Sequence, residues 1–303
     1  MNCSRLNTNV TSDDASCCVK NNKLCRSRCK QINFKVSPLQ SNNCFSGNVC
    51  ICGDLKVDGH IDMCPVQIGE GATVVDDTST SVGCFAESIA NSSAFGNSAK
   101  AFGEFSSAFG HSASATGNFS SAFGQNAQAN IVGSAFGQLS QATGIFSSAF
   151  GRNSQATSVR CSSFGHFSRA IELNCSAFGE NSLASATGCS AFGQNSTASN
   201  TACSTFGQGS QATDMLCSAF GVNALASNTN CSAFGHDSRA TLDNCSAFGQ
   251  FSRADATNCS AFGQASQATD DFCSAFGNAS KATDALCSAF GHLSEATKFS
   301  CSA

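Results

Sequence analysis

Cysteine, histidine and serine are the residues that could carry chemistry in this chain, and their spacing decides which chemistry. The 303 residues include 21 cysteines, a density unusual for a chain of this length. Ten precede residue 90 without a period. The other eleven, Cys161, Cys175, Cys189, Cys203, Cys217, Cys231, Cys245, Cys259, Cys273, Cys287 and Cys301, recur at every fourteenth position. Within residues 1–44 the Cys25-x3-Cys29 spacing invites a zinc site. No histidine lies nearby and the C-x2-C pairs of a zinc ribbon are missing, so disulfides or a flexible arm are expected there.

Four of the five histidines, His111, His166, His236 and His292, occupy one slot of a repeat. Other copies fill that slot with Gln125, Gln194, Gln208, Glu180 or Arg152. A residue interchangeable with these is a turn residue, and repeats stacked about 4.8 Å apart keep the histidines several coils from one another. They cannot share a metal ion. The serines have no histidine and carboxylate at fixed offset for a triad. No phosphate loop or dinucleotide fingerprint is present. The expectation is a protein that is not an enzyme and needs no cofactor.

The positioning element is the repeat itself. From residue 91 Phe-Gly recurs at Phe95, Phe102, Phe109, Phe123, Phe136 and Phe150. It then falls at every fourteenth position through Phe164, Phe178, Phe192, Phe206, Phe220, Phe234, Phe248, Phe262 and Phe276 to Phe290. The mature unit reads C-S-A-F-G-x-x-S-x-A-T-x-x-x, as at Cys217-Ser218-Ala219-Phe220-Gly221. Fixed short periods make solenoids whose coils touch only their neighbours. Such a unit is too short for a helical pair, and Gly, Ser and Thr form helices poorly. Two short strands and two turns fit.

With Phe as position zero, alternation places −2 and 0 on one face of the first strand and +4 and +6 on one face of the second. Small residues at +4 and +6 would let a second sheet close over the phenylalanines. The Phe column from Phe150 to Phe290 is therefore the expected core ladder, and Gly at +1 fits a turn of positive φ. A core of one Phe and a few methyl-sized groups is thin against a backbone cost of about 1–2 kcal/mol per residue, which favours an oligomer.

Three regions follow: a Cys-rich arm over 1–44, a short β-strand connector over 45–90, and a repeat roll over 91–303. The connector shows alternation at Val49-Cys50-Ile51 and from Leu55 to Ile61, with turn signals at Gly53-Asp54 and Asp58-Gly59. Charged residues are only 12% and the net charge is −4. The scattered basic residues leave no footprint for nucleic acid. No apolar run approaches the length of a membrane span, about 18 residues, and the N-terminus lacks the apolar stretch of a signal peptide.

The motif S-A-F-G-x-x-S-x-A-T resembles the head repeat of trimeric autotransporter adhesins, the YadA-like head, which has A-I-G-x-x-S-x-A at a similar period. The resemblance implies an all-β, left-handed parallel β-roll in an obligate homotrimer with an intertwined apolar centre. The seven-residue step from Phe95-Gly96 to Phe102-Gly103 is similar to half-coils of that family. Phe in place of Ile and the Cys ladder are departures. Gly53 to Gly59 also resembles connector strands of phage and large-virus fibre proteins. With cysteines and no visible export signal, this points to a structural fibre or spike on a virus particle, at a virion surface or outside the cell. An adhesin that attaches to a host-surface receptor is the alternative, and a capsid or other particle component is the other candidate partner. An ice-binding solenoid is more distant, because the +7 column of Thr157, Thr213, Thr241, Thr269, Thr283 and Thr297 is broken by Ile171, Ser185, Ser199, Ser227 and Asp255.

Three states are open to the Cys ladder at −3. Bridges between neighbouring coils have a Cα spacing of about 4.8 Å, inside the permitted window of about 4.4–6.8 Å, but their parallel Cβ vectors aim the sulfurs poorly. Bridges between chains need the slot to face a partner, and the abrupt, persistent regularity favours them. Unpaired thiols used as small packing groups are the third state.

Overall fold

A computed structural model describes residues 66–303. The expectations for the Cys-rich arm and for the strands at 49–51 and 55–61 lie outside the described residues. From Val66 onward the chain is a parallel β-solenoid. Seventeen three-residue strands like Ser218–Phe220 form one sheet, here called sheet A. Seventeen two-residue strands such as Leu225–Ala226 form sheet B. Each strand pairs in parallel with its counterparts one coil before and after, in register: Ser218, Ala219 and Phe220 lie beside Ser232, Ala233 and Phe234. The regular coils start before the Phe-Gly pattern does. Val66–Ile68 pairs with Thr80–Val82, which pairs with Ser93–Phe95.

Each full coil is two seven-residue halves. A left-handed backbone corner falls at +3, as at Asn153, Asn181 and Asn223, and again at +10, as at Asn174, Asn230 and Asn244, all with φ between 54° and 58°. Asn tolerates this region better than most residues because its short polar side chain bonds locally. The halves explain the early seven-residue step. Phe95 and Phe109 are register partners, so Phe102 belongs to the second half of the same coil and adds no half-coil.

The interior reverses the expected side of the first strand. Positions −1 and −3 point inward: Ala219, Ala233 and Cys217, Cys231 are fully buried. The second strand is as expected, with Ser238 at +4 and Ala226 and Ala240 at +6 fully buried. The anticipated core ladder, Phe150 through Phe290, lies instead on the outer face of sheet A, and Phe206 and Phe290 keep 41% and 60% of their surface. The reason is width. Two sheets joined by turns this tight leave room between them for methyl, hydroxyl and thiol groups, and a phenyl ring at 0 would force them apart. The roll is closed by small residues packed in four columns, in the manner of a dense organic solid.

Hydroxyls inside this narrow space bond to backbone. Ser154, Ser182 and Ser238 at +4 each donate to the carbonyl of the Gly three residues earlier, at 3.0 Å. Thr205 breaks the −1 column of alanines, and its hydroxyl has no partner among the described residues. A buried hydroxyl without a partner costs about 1–3 kcal/mol. Thr205→Ala, which restores the column, is expected to stabilise the protein by about 1 kcal/mol in denaturant unfolding. A loss of stability would show that the Thr methyl fills space that Ala leaves empty.

Candidate functional site: a stacked aromatic face over a thiol column

The Phe at 0 ends each sheet A strand pointing out of the roll, and register brings the rings together. Fifteen of them, from Phe95 to Phe290, form one continuous stack. Most neighbouring rings lie within a few degrees of parallel, as for Phe220 and Phe234, with centroids 4.7 Å apart and planes at 3°. The row is about 66 Å long at the strand spacing. Ring faces are used up by neighbouring rings, and only edges meet the surroundings. A sugar ring, which stacks on an aromatic face, finds none free between the neighbouring rings of this row. A second apolar surface can pack against the edges.

Beside the rings runs a polar row at +2. Gln138 donates to Gln125 at 2.8 Å, Gln208 to Gln194 at 3.0 Å and Asn278 to Gln264 at 3.0 Å, each across one coil. The slot holds the histidines as well. Arg152 donates through Nε to His166 Nε2 at 2.8 Å, and His236 pairs with Asp237 at 3.1 Å. The concavities of the surface are shallow grooves at the corners, such as the one lined by Gly209, Gln211, Asn223, Leu225 and Arg239.

Under the aromatic face lies the Cys ladder. The ten thiols from Cys161 to Cys287 are fully buried inside their own roll, and Cys301 is partly buried. Interchain bridges are therefore corrected: the slot faces the interior and no sulfur of these ten reaches a partner chain. The ladder cysteines Cys161, Cys175, Cys189, Cys203, Cys217, Cys231, Cys245, Cys259, Cys273, Cys287 and Cys301 are free thiols here. Each of the ten donates to the carbonyl eleven residues on, as Cys161 does to Glu172 and Cys231 to Leu242, both at 2.8 Å. Earlier coils place Ser92 and Ser106 in the same slot, donating to the carbonyls of Ala101 and Ala115. Burial pushes the Cys273 thiol up. The Cys175 thiol is pushed up by its hydrogen bond with Cys161 and then by burial. Buried structural thiols react slowly because reagents cannot reach them. Iodoacetamide on the native protein is expected to label the exposed Cys84 and to spare the ten ladder thiols until denaturant is added. Mass spectrometry of the labelled peptides reads this directly, and native labelling at Cys217 would contradict the inward slot.

Sequence reasoning missed the corners. Bulky apolar residues occupy left-handed positions there: Phe105, Phe119 and Phe146 at +10 and Phe167 and Phe251 at +3, all with φ between 55° and 58° and all exposed. Their variation from coil to coil disguised them as free positions. The signal that could have found them is the recurrence of Asn at the same two slots.

Stacked parallel coils with an outward aromatic row define a parallel β-solenoid built from repeats. Residues 90–113, 103–127, 115–134 and 133–154 match the YadA head domain repeat. The match ends before Cys161, and the Cys-bearing coils continue the same strands in the same register. No curated protein matches the chain.

Proposed function

We propose that the chain is a structural fibre subunit, three copies of which pack their sheet A faces together into a rod. The observation that carries this is the stack of fifteen rings along one side of a roll whose own interior has no large side chain. Fully burying a Phe contributes roughly 1.5–3 kcal/mol, and a single roll leaves part of that unrealised along the whole row. Trimeric assembly is typical of YadA-like heads, and such heads act at surfaces. Ring edges interdigitating around a common axis would supply the apolar centre that each coil lacks. No catalytic role is proposed: the histidines that meet a carboxylate, His166 beside Glu180 and His236 beside Asp237, stand on the exposed turn row.

The setting we favour is a spike or fibre on a virus particle, supported by the cysteine content and by the fibre-like segment from Gly53 to Gly59. An adhesin is the second function, favoured by the hydrogen-bonded polar row at +2, which offers donors and acceptors along one edge. Light scattering tests the assembly. The chain mass is 30.9 kDa, and the rod is expected to return three times that value. The mass of a single chain would overturn the trimer. Saturable binding of the assembled rod to cells would favour the adhesin.

A further inference from the structure

The outward face of sheet A attracts a second copy without choosing where along the axis the two align. Its rings repeat every 4.7–4.8 Å over most of the row, and Ser stands two residues before each ring from Ser93 to Ser288. Sliding one copy past another by a coil replaces every ring with an identical ring. Of the fifteen rings from Phe95 to Phe290, one at each end loses its counterpart. A face this uniform specifies register weakly. A single axial alignment needs a bordering element that does not repeat.

The +10 corner, four residues before the next Phe, holds such an element. In four consecutive coils it carries Phe105, Phe119, Val132 and Phe146, with Ile131 and Ile145 preceding the last two, all exposed. Phe105 and Phe119 stack on each other with centroids 5.5 Å apart. The following coils put Arg160, Asn174, Gly188 and Ala202 in the slot. Large apolar side chains return there at Leu216, Phe272 and Leu286. The four ridge residues have φ between 51° and 58°, which Asn accepts readily and a β-branched residue such as Val132 does not. Apolar side chains that are exposed and held in a disfavoured backbone conformation point to a contact made there.

Resting on the trimeric reading above, we propose that this corner ridge sets the axial register of the rod, and that its partner is a second copy of the chain at the level of the same coils. Continuity selects this occupant. Ridge and ring belong to one five-residue stretch, as from Phe146 to Phe150, so copies that meet through sheet A bring their ridges to the edge of the contact. A slide of one coil would seat Arg160 where Phe146 sits. That takes a charge out of water against apolar side chains, which is costly without a partner. The rings thus supply the attraction and the ridge supplies the alignment.

Cross-linking between copies reads the alignment. The full chain is made with Ser at the nine cysteines before residue 66, at Cys84 and at Cys301, and the ten buried ladder thiols stay. One batch carries Phe220→Cys. It is refolded with a second batch carrying Phe206→Cys, Phe220→Cys or Phe234→Cys, and diamide oxidises facing thiols to disulfides between chains. With the native ridge one pairing should exceed the others by about tenfold, the preference that a difference of about 1.4 kcal/mol gives. The ridge variant combines Phe105→Asn, Phe119→Asn, Val132→Asn and Phe146→Asn. It should keep the fold, since Asn174 and Asn230 hold the same corner, and circular dichroism checks this. It should also keep the trimeric mass in light scattering while its cross-links spread evenly over the three pairings. An unchanged single pairing in that variant would overturn the register role and leave the trimer standing. Dissociation of the variant to single folded chains would overturn it too, by making the ridge the adhesive surface. A single-chain mass for the native ridge, or no cross-link at any pairing, would instead overturn the assembly through the rings and the register role with it.

Discussion

Gly235→Ala is expected to unfold the roll around its coil and to lower the melting temperature steeply. Gly235 sits at φ 138°, a region that L side chains rarely adopt. A Cβ there would lie 2.4 Å from the carbonyl oxygen of Gly249 and 2.6 Å from its carbon. Both atoms are backbone of the next coil, and Gly249 makes the same demand on Gly263. Relief would require spreading the whole stack. Backbone strain of this kind costs about 1–3 kcal/mol by itself, and the clash takes the total toward the exceptional class of about 4–5 kcal/mol. Gly188 supplies the control. It occupies a +10 corner at φ 72° with the nearest atoms 3.9 Å from an added Cβ, and Asn174 and Asn230 hold the same corner in other coils. Gly188→Asn should be near neutral in thermal unfolding followed by circular dichroism. Equal losses for the two variants would mean that the +1 glycines are not set by contact between coils.

The second large effect belongs to the aromatic face. Phe220→Asp with Phe234→Asp puts two carboxylates into the middle of the ring stack, where the proposed assembly brings three chains together. A carboxylate without a partner in an apolar contact costs several kcal/mol, and three chains multiply it. The assembled rod should therefore fall to single rolls, read as a drop in molar mass. Each roll should keep its far-ultraviolet β signal, because both rings lie outside the interior that closes the coil. Ala219→Asp, one residue away but fully buried, should instead abolish folding. If the double Phe variant unfolds and Ala219→Asp does not, the two faces of sheet A are exchanged. If the double variant keeps the wild-type mass, assembly does not run through the rings.

Much of this was legible in the chain itself. A fourteen-residue period with a Gly after each Phe and alternating short residues dictated a parallel stack of short strands, because only backbone pairing between coils can satisfy such units. The inward columns at +4 and +6 were legible as well, since Ser238 and Ala240 leave no other candidate on that strand. Alternation also set Cys opposite Phe. It could not say which of the two faces inward, because a strand shifted by one residue exchanges its faces without changing its pattern. Hydrophobicity argued for Phe inside. The tertiary structure decided otherwise on volume: at −3 and −1 every coil from Thr80–Val82 onward carries Cys, Ser, Ala or another small residue, and only those fit between sheets joined by turns so tight. The corners were likewise settled in three dimensions. Phe167 and Asn181 look unrelated in sequence, yet both hold the same left-handed turn, because register through the neighbouring coils fixes the backbone there whatever side chain it carries.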